Sequence, residues 1–188
     1  EKIILKKNNK KRISKKIRFV ICSHIIEFKN VDYSIDLVIK SGIEYSIEII
    51  GSYNTKYGMK VFKKYKDNMN IKFHGEIYGD EKIQILKKSD ILIHLSLNEE
   101  FPLIQIECLG LGLPFISYEN VGGIKQVLPN EIKSLFLHNI EYLNENTFNE
   151  VVKNIISHEK IAHEMVEIFE NNFSKSTMIK EFKKLGFN

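Results

Sequence analysis

The 188-residue chain has no tryptophan, three prolines and only two cysteines. Cys22 and Cys108 both sit in apolar company, too few for a disulfide framework or a four-cysteine zinc site, and they point to a reducing compartment. No window approaches the ~20 apolar residues of a membrane span, and the hydrophobic core of a signal peptide is missing from the basic leader. Glycine-rich Walker loops, GxGxxG fingerprints and a serine nucleophile elbow are all absent, and the six histidines show no tight metal spacing. These absences remove P-loop, dinucleotide, serine-hydrolase and metal-hydrolase chemistry, so neither a metal nor a cofactor is expected. The body also lacks a basic face interleaved with aromatics, which argues against nucleic acid as a partner.

What is present suits one compact domain: 43% of residues are hydrophobic, enough for a sizeable core at this length. Charge is uneven. Residues 1–16 hold eight of the 28 Lys and Arg side chains and one acidic residue, leaving the rest slightly acidic despite the overall +4. The expected division is a basic linker or domain boundary over 1–16, able to graze an anionic surface, followed by a domain over 17–188.

From Ile17 onward short apolar runs alternate with amphipathic ones, the mark of parallel α/β architecture with helices on both sheet faces. Strands are expected at Ile17–Cys22, Ser46–Ile50, Asn70–Phe73, Ile91–Leu95, Pro114–Ser117 and Ser134–Leu137. Helical spacings run over Asp32–Lys40 and Tyr57–Asp67, and Asp80 is placed to cap a third helix. Pro102 suits the first turn of a helix that stops at Gly110 or Gly112. A short helix through Val127 follows Gly122–Gly123, and closing helices are expected at Thr147–Ser157, His158–Phe169 and Ser174–Leu185.

In such a sheet, ligands bind beyond the carboxyl ends of the strands, where helix N-termini aim backbone N–H groups inward. The loop Ser96–Pro102 stands out, since Glu99 and Glu107 would frame one helix start. Ionised carboxylates only accept hydrogen bonds, which suits a polyhydroxylated ligand, while the free N–H groups over the stretch Phe101 to Leu103, at the turn made by Pro102, would suit a phosphate. Sugar plus phosphate describes a sugar nucleotide. The plainer readings are a solvated helix-start pair for Glu99 and Glu100, and a distant lysine partner for Glu107. Gly122 and Gly123 permit close approach by a ligand and positive φ, or form an ordinary turn. Lys29 could reach a phosphate, and His24 follows the first strand.

The run Glu99-Glu100-Phe101-Pro102-Leu103-Ile104-Gln105-Ile106-Glu107-Cys108 resembles the paired-glutamate segment of the donor-binding, C-terminal domain of GT-B-fold retaining glycosyltransferases. The resemblance is to family 4, the group 1 glycosyl transferases of bacterial polysaccharide and lipid synthesis. Phe73-His74-Gly75, Ser89-Asp90, Ser96, Gly112-Leu113-Pro114-Phe115-Ile116 and Gly122-Gly123-Ile124 support it. The resemblance implies a Rossmann-like half of a GT-B fold that takes a UDP- or GDP-linked sugar. Transfer would retain anomeric configuration and go to a saccharide or lipid-linked acceptor held by an N-terminal domain missing from this chain. It further implies Glu99 at the donor sugar, Glu107 at the ribose and Lys29 at the diphosphate, in a cytoplasmic enzyme, peripheral at the inner face of the membrane. Three positions depart from the pattern: His24 replaces an arginine, Glu100 a glycine and Gln126 a glutamate. A non-catalytic sugar-nucleotide or glycan-binding module is the alternative these departures favour.

Overall fold

The computed structural model describes residues 16–120 and 122–184, with the side chain of Phe182 left aside. Most of the basic leader, and the expected end of the last helix at Leu185, lie outside the described residues. Six parallel strands form one sheet: β1 (Ile17–Cys22), β2 (Tyr45–Ile50), β3 (Ile71–Gly75), β4 (Ile91–His94), β5 (Phe115–Tyr118) and β6 (Leu137–His138). Their spatial order is β3-β2-β1-β4-β5-β6. The winding direction reverses between β1 and β4, and at such a switch point the loops part to leave a crevice.

The connecting helices are α1 (Val31–Lys40), α2 (Lys56–Tyr65), α3 (Gly79–Lys88), α4 (Leu103–Leu111), α5 (Ile124–Val127) and α6 (Asn130–Phe136). They are followed by α7 (Phe148–Ser157), α8 (Ile161–Asn172) and α9 (Lys175–Lys184). Every residue of β4 and β5 is buried, as expected of strands covered on both faces. α1 buries Val31, Ile35 and Val38 on one stripe. Thr55 caps α2 by accepting the Gly58 N–H at 2.9 Å. α4 ends at Gly112 in the left-handed region, φ 60°. Inside α4, a Cβ on Gly110 would stand 3.3 Å from the Phe169 ring, so the absence of a side chain lets α8 pack close.

Two expectations need correcting. Ser134–Phe136 belong to α6, and only Leu137 and His138 extend the sheet, opposite Ser117 and Tyr118. The short run Ser-Leu-Phe-Leu fits either period; burial of Ile132 and Phe136 on one helical face, with Phe136 4.7 Å from the Phe115 ring, decides for helix. Asp80 does not cap α3. Tyr78 holds that position, and Asp80 and Glu81 occupy the first turn, where the helix dipole favours acidic groups.

Candidate functional site

The loop after β1 contains a single 3-10 turn, Glu27–Lys29, closed by Asn30 at φ 54°. Asparagine tolerates this left-handed geometry, and it swings the chain straight into α1. The loop after β4 is tied to it through backbone, with the Leu97 N–H donating to the Phe28 carbonyl at 2.7 Å. The tie brings together side chains 70 positions apart, and Lys29 Nζ donates to Glu99 Oε2. The two side chains are only 17% and 20% exposed, and the pair stands between the loops that follow β1 and β4, at the switch point.

Behind Glu99 lies a polar chain inside an otherwise apolar layer. His94 Nε2 is 3.7 Å from Glu99 Oε2. The Gln105 amide nitrogen is 3.1 Å from His94 Nδ1 and donates to Ser117 Oγ at 2.9 Å. Ser117 Oγ in turn donates to the His94 carbonyl at 3.0 Å. Burial, helped by the Lys29 charge and opposed by Glu99, depresses the His94 pKa from 6.5 to about 4. The unfolded chain takes up this proton near 6.5, the folded chain only near 4. The contribution of neutral His94 to stability is therefore whole above pH 6.5, falls by ~1.4 kcal/mol per unit below it, and is down by roughly 3 kcal/mol at pH 4. Urea unfolding of wild type and His94→Asn across pH 4–7 measures this. The variant should lose the part of the slope that histidine supplies, and identical slopes would remove the assignment.

The Gly122 N–H donates to the Glu99 carbonyl at 3.1 Å and the Gly123 N–H to the Glu100 carbonyl at 2.7 Å, so both amides are engaged within the protein. Gly123 has a φ of −59°, so at that position space and not a left-handed turn calls for glycine. A Cβ on Gly122 would fall 2.2 Å from the Glu100 oxygen, and one on Gly123 2.1 Å from the Phe101 ring. Ser96 is likewise turned inward, fully buried with its hydroxyl 3.0 Å from the Asn98 carbonyl. Pro102, which has no N–H, is the N-cap of α4. The first-turn amides are therefore those of Leu103 and Ile104. Phe101 and Leu103 are exposed.

Glu107 has a cation partner after all, supplied from α3, 25 positions away. Lys82 Nζ lies 2.8 Å from both carboxylate oxygens, with hydrogen-bond geometry to Oε1. Burial pushes the Cys22 thiol up to about 11, and the charges of Lys82 and Glu107 act on it in opposite senses. The pair thus stands near Cys22, the last residue of β1. Glu107 is 40% exposed and opens on a groove of about 820 Å³ shared with Gly79, Ile106, Phe169 and Ser174. His24 is 67% exposed, its Nδ1 3.7 Å from Glu76 Oε1. Among the described residues no three His, Cys, Asp or Glu side chains converge as metal ligands. None of the helices described is long and apolar enough to cross a membrane.

His94, Gln105 and Lys82 were not singled out as site residues from sequence. A histidine ending the apolar run Ile91–Ile93, and a glutamine between Ile104 and Ile106, were the available signals. Nothing local marks Lys82.

The sequence profile of the glycosyl transferases group 1 family matches residues 3–172. The chain belongs to that family. The fold of this group 1 domain is one Rossmann-like half of a GT-B glycosyltransferase. It resembles HepE of Anabaena, solved with UDP and glucose, at 15% identity and TM-score 0.73, over 91% of this chain and 48% of HepE. A glycosyltransferase from Rickettsia africae is similar at 19% identity and TM-score 0.70, over 92% of this chain and 47% of that one. The C-terminal domain of the group 1 protein LpcC from Francisella tularensis matches at 17% identity and TM-score 0.65, over 85% of this chain and 87% of that domain. The group 1 domain spans about half the length of HepE and of the Rickettsia enzyme. No curated protein matches it.

Proposed function

We propose that this chain is the donor-binding, C-terminal half of a two-domain glycosyltransferase. The whole enzyme transfers a sugar from a UDP- or GDP-linked donor to a saccharide or lipid-linked acceptor, with retention at the anomeric carbon. The observation that carries this reading is the Lys29–Glu99 pair at the switch point, a cation beside a carboxylate with both side chains largely buried. The likeness to the LpcC C-terminal domain over most of both chains supports the choice of half. In transfer, the bond from the anomeric carbon to the diphosphate oxygen breaks, one to an acceptor hydroxyl oxygen forms, and the proton of that hydroxyl passes to the departing diphosphate. Lys29 offsets the charge gathering on the leaving diphosphate, with the Leu103 and Ile104 amides at hand. Glu99 orients the sugar through its hydroxyls and Glu107 receives the ribose, with Lys82 holding its carboxylate. Residues 1–16 join the two halves, residues 17–188 form the donor domain, and the enzyme works in the cytoplasm, peripheral at the inner face of the membrane.

Calorimetry with UDP, GDP and their sugar conjugates tests this. Binding of one nucleoside diphosphate, weakened about tenfold by Glu107→Gln as a ribose contact is lost, is the expected result. Failure of both nucleotides to bind would falsify the reading. The second reading, a non-catalytic binding module, draws on His24, an exposed imidazole where the family resemblance calls for a phosphate-gripping arginine. Donor binding by the full-length protein without transfer to any acceptor would favour it.

A further inference from the structure

Glu99 presents its two oxygens differently. Lys29 Nζ and His94 Nε2 both face Oε2. Oε1 has no protein partner among the described residues and is not among the buried unsatisfied atoms. One oxygen is therefore held by the protein and the other is left open to solvent.

What holds the rear oxygen depends on the tautomer of His94. The Gln105 amide nitrogen can only donate, so a ring nitrogen facing it must be an acceptor. The same NH2 group donates to Ser117 Oγ, whose own proton is committed to the His94 carbonyl. In this orientation Gln105 Oε1 is buried without a partner; turning the amide over would put its NH2 there instead, leaving two buried donors unpaired, and would draw the Ser117 proton away from the His94 carbonyl. The orientation with the nitrogen toward His94 therefore costs less, and it leaves the ring proton of a neutral His94 on Nε2, pointing at Glu99. Lys29 and Glu99 are the charged groups acting on the imidazole, and burial together with Lys29 keeps it neutral. At 3.7 Å the contact with Glu99 is dipolar; closing by about 1 Å turns it into a hydrogen bond, as site contacts often do when substrate arrives.

We propose that His94, locked by Gln105 as the Nε2–H tautomer, is a positioning residue that pins Glu99 Oε2 together with Lys29 and leaves Oε1 as the single acceptor for a hydroxyl of the donor sugar. The inference rests on the reading of Glu99 as the sugar-facing carboxylate. Gln105 is the second positioning residue, acting through His94.

Two measurements test it. Long-range ¹H–¹⁵N spectra of the histidine rings should show His94 neutral with its proton on Nε2 from pH 5.5 to 7.5. In Gln105→Met, which removes the donor at similar volume, the two tautomers should mix. A proton on Nδ1, a charged ring, or an unchanged tautomer in Gln105→Met overturns the proposal without touching the donor-binding reading. Calorimetry then compares UDP-glucose with UDP. His94→Leu should cut the advantage of UDP-glucose over UDP about tenfold, with UDP itself unaffected, and His94→Gln, which restores an N–H near the Nε2 position, should recover most of it. Equal losses for both ligands, or no recovery in His94→Gln, would show a merely structural part for His94. If neither UDP nor GDP binds wild type, the donor-binding reading fails, and with it the sugar-acceptor part of this proposal; the spectra still decide the tautomer lock.

Discussion

Lys29→Met is expected to weaken binding of a nucleoside diphosphate by roughly 10- to 100-fold. A charge-assisted hydrogen bond to phosphate contributes ~1.5–3 kcal/mol, and Lys29 is the residue proposed to meet the diphosphate. The same change leaves Glu99, only 20% exposed, without its cation, so stability should also fall by ~1–3 kcal/mol. The two effects separate in Lys29→Met/Glu99→Gln, which removes both charges. Stability should return toward wild type in urea unfolding, while nucleotide affinity stays low in calorimetry. Affinity that recovers along with stability would mean that Lys29 holds the loops together and does not grip phosphate.

For stability, the largest loss is expected at Gly51, where β2 hands over to its loop. Its φ of 144° is already poor for any residue with a Cβ, and that Cβ would stand 1.9 Å from the Ser23 carbonyl oxygen and 2.6 Å from its carbon. Both atoms are backbone and cannot step aside. The Ser23 N–H donates to the Ile50 carbonyl at 2.9 Å and the Gly51 N–H to the Gly75 carbonyl at 2.7 Å. Backbone strain of ~1–3 kcal/mol and a clash of similar size give roughly 2–6 kcal/mol for Gly51→Ala. In a domain of this length that lowers the melting temperature by roughly 5–20 °C. Gly42 is the control, with φ 73° and open space where its Cβ would go. Gly42→Ala carries strain alone and should cost far less; equal losses would sink the clash argument.

Most of the architecture was legible in the order of apolar runs, because a sheet covered on both faces leaves buried strands such as Ile91–His94 little choice but to be apolar. The sixth strand was not, because four residues cannot distinguish a two-residue period from a helical one. At the site, Glu99 and Lys29 were each visible as candidates, but their pairing was not, since it depends on a backbone tie between loops that follow different strands. Lys82 illustrates the same limit. Its relation to Glu107 exists only because α3 and α4 lie side by side. The glycine pair reads from sequence as room for a ligand or as an ordinary turn, yet what presses on it, the Glu100 carbonyl and the Phe101 ring, belongs to a segment 22 positions away.

The ties among the loops after β1, β4 and β5 also bear on how this rim can change over generations. Phe28 is fastened to Leu97, Glu99 to Gly122 and Glu100 to Gly123, all through main chain. No one of these segments can shift while the other two stay put, so altered ligand preference at this rim would have to arise by compensating changes in at least two of them. Effects of single replacements here should not add, and lineages that diverge at this rim should carry their differences in matched sets.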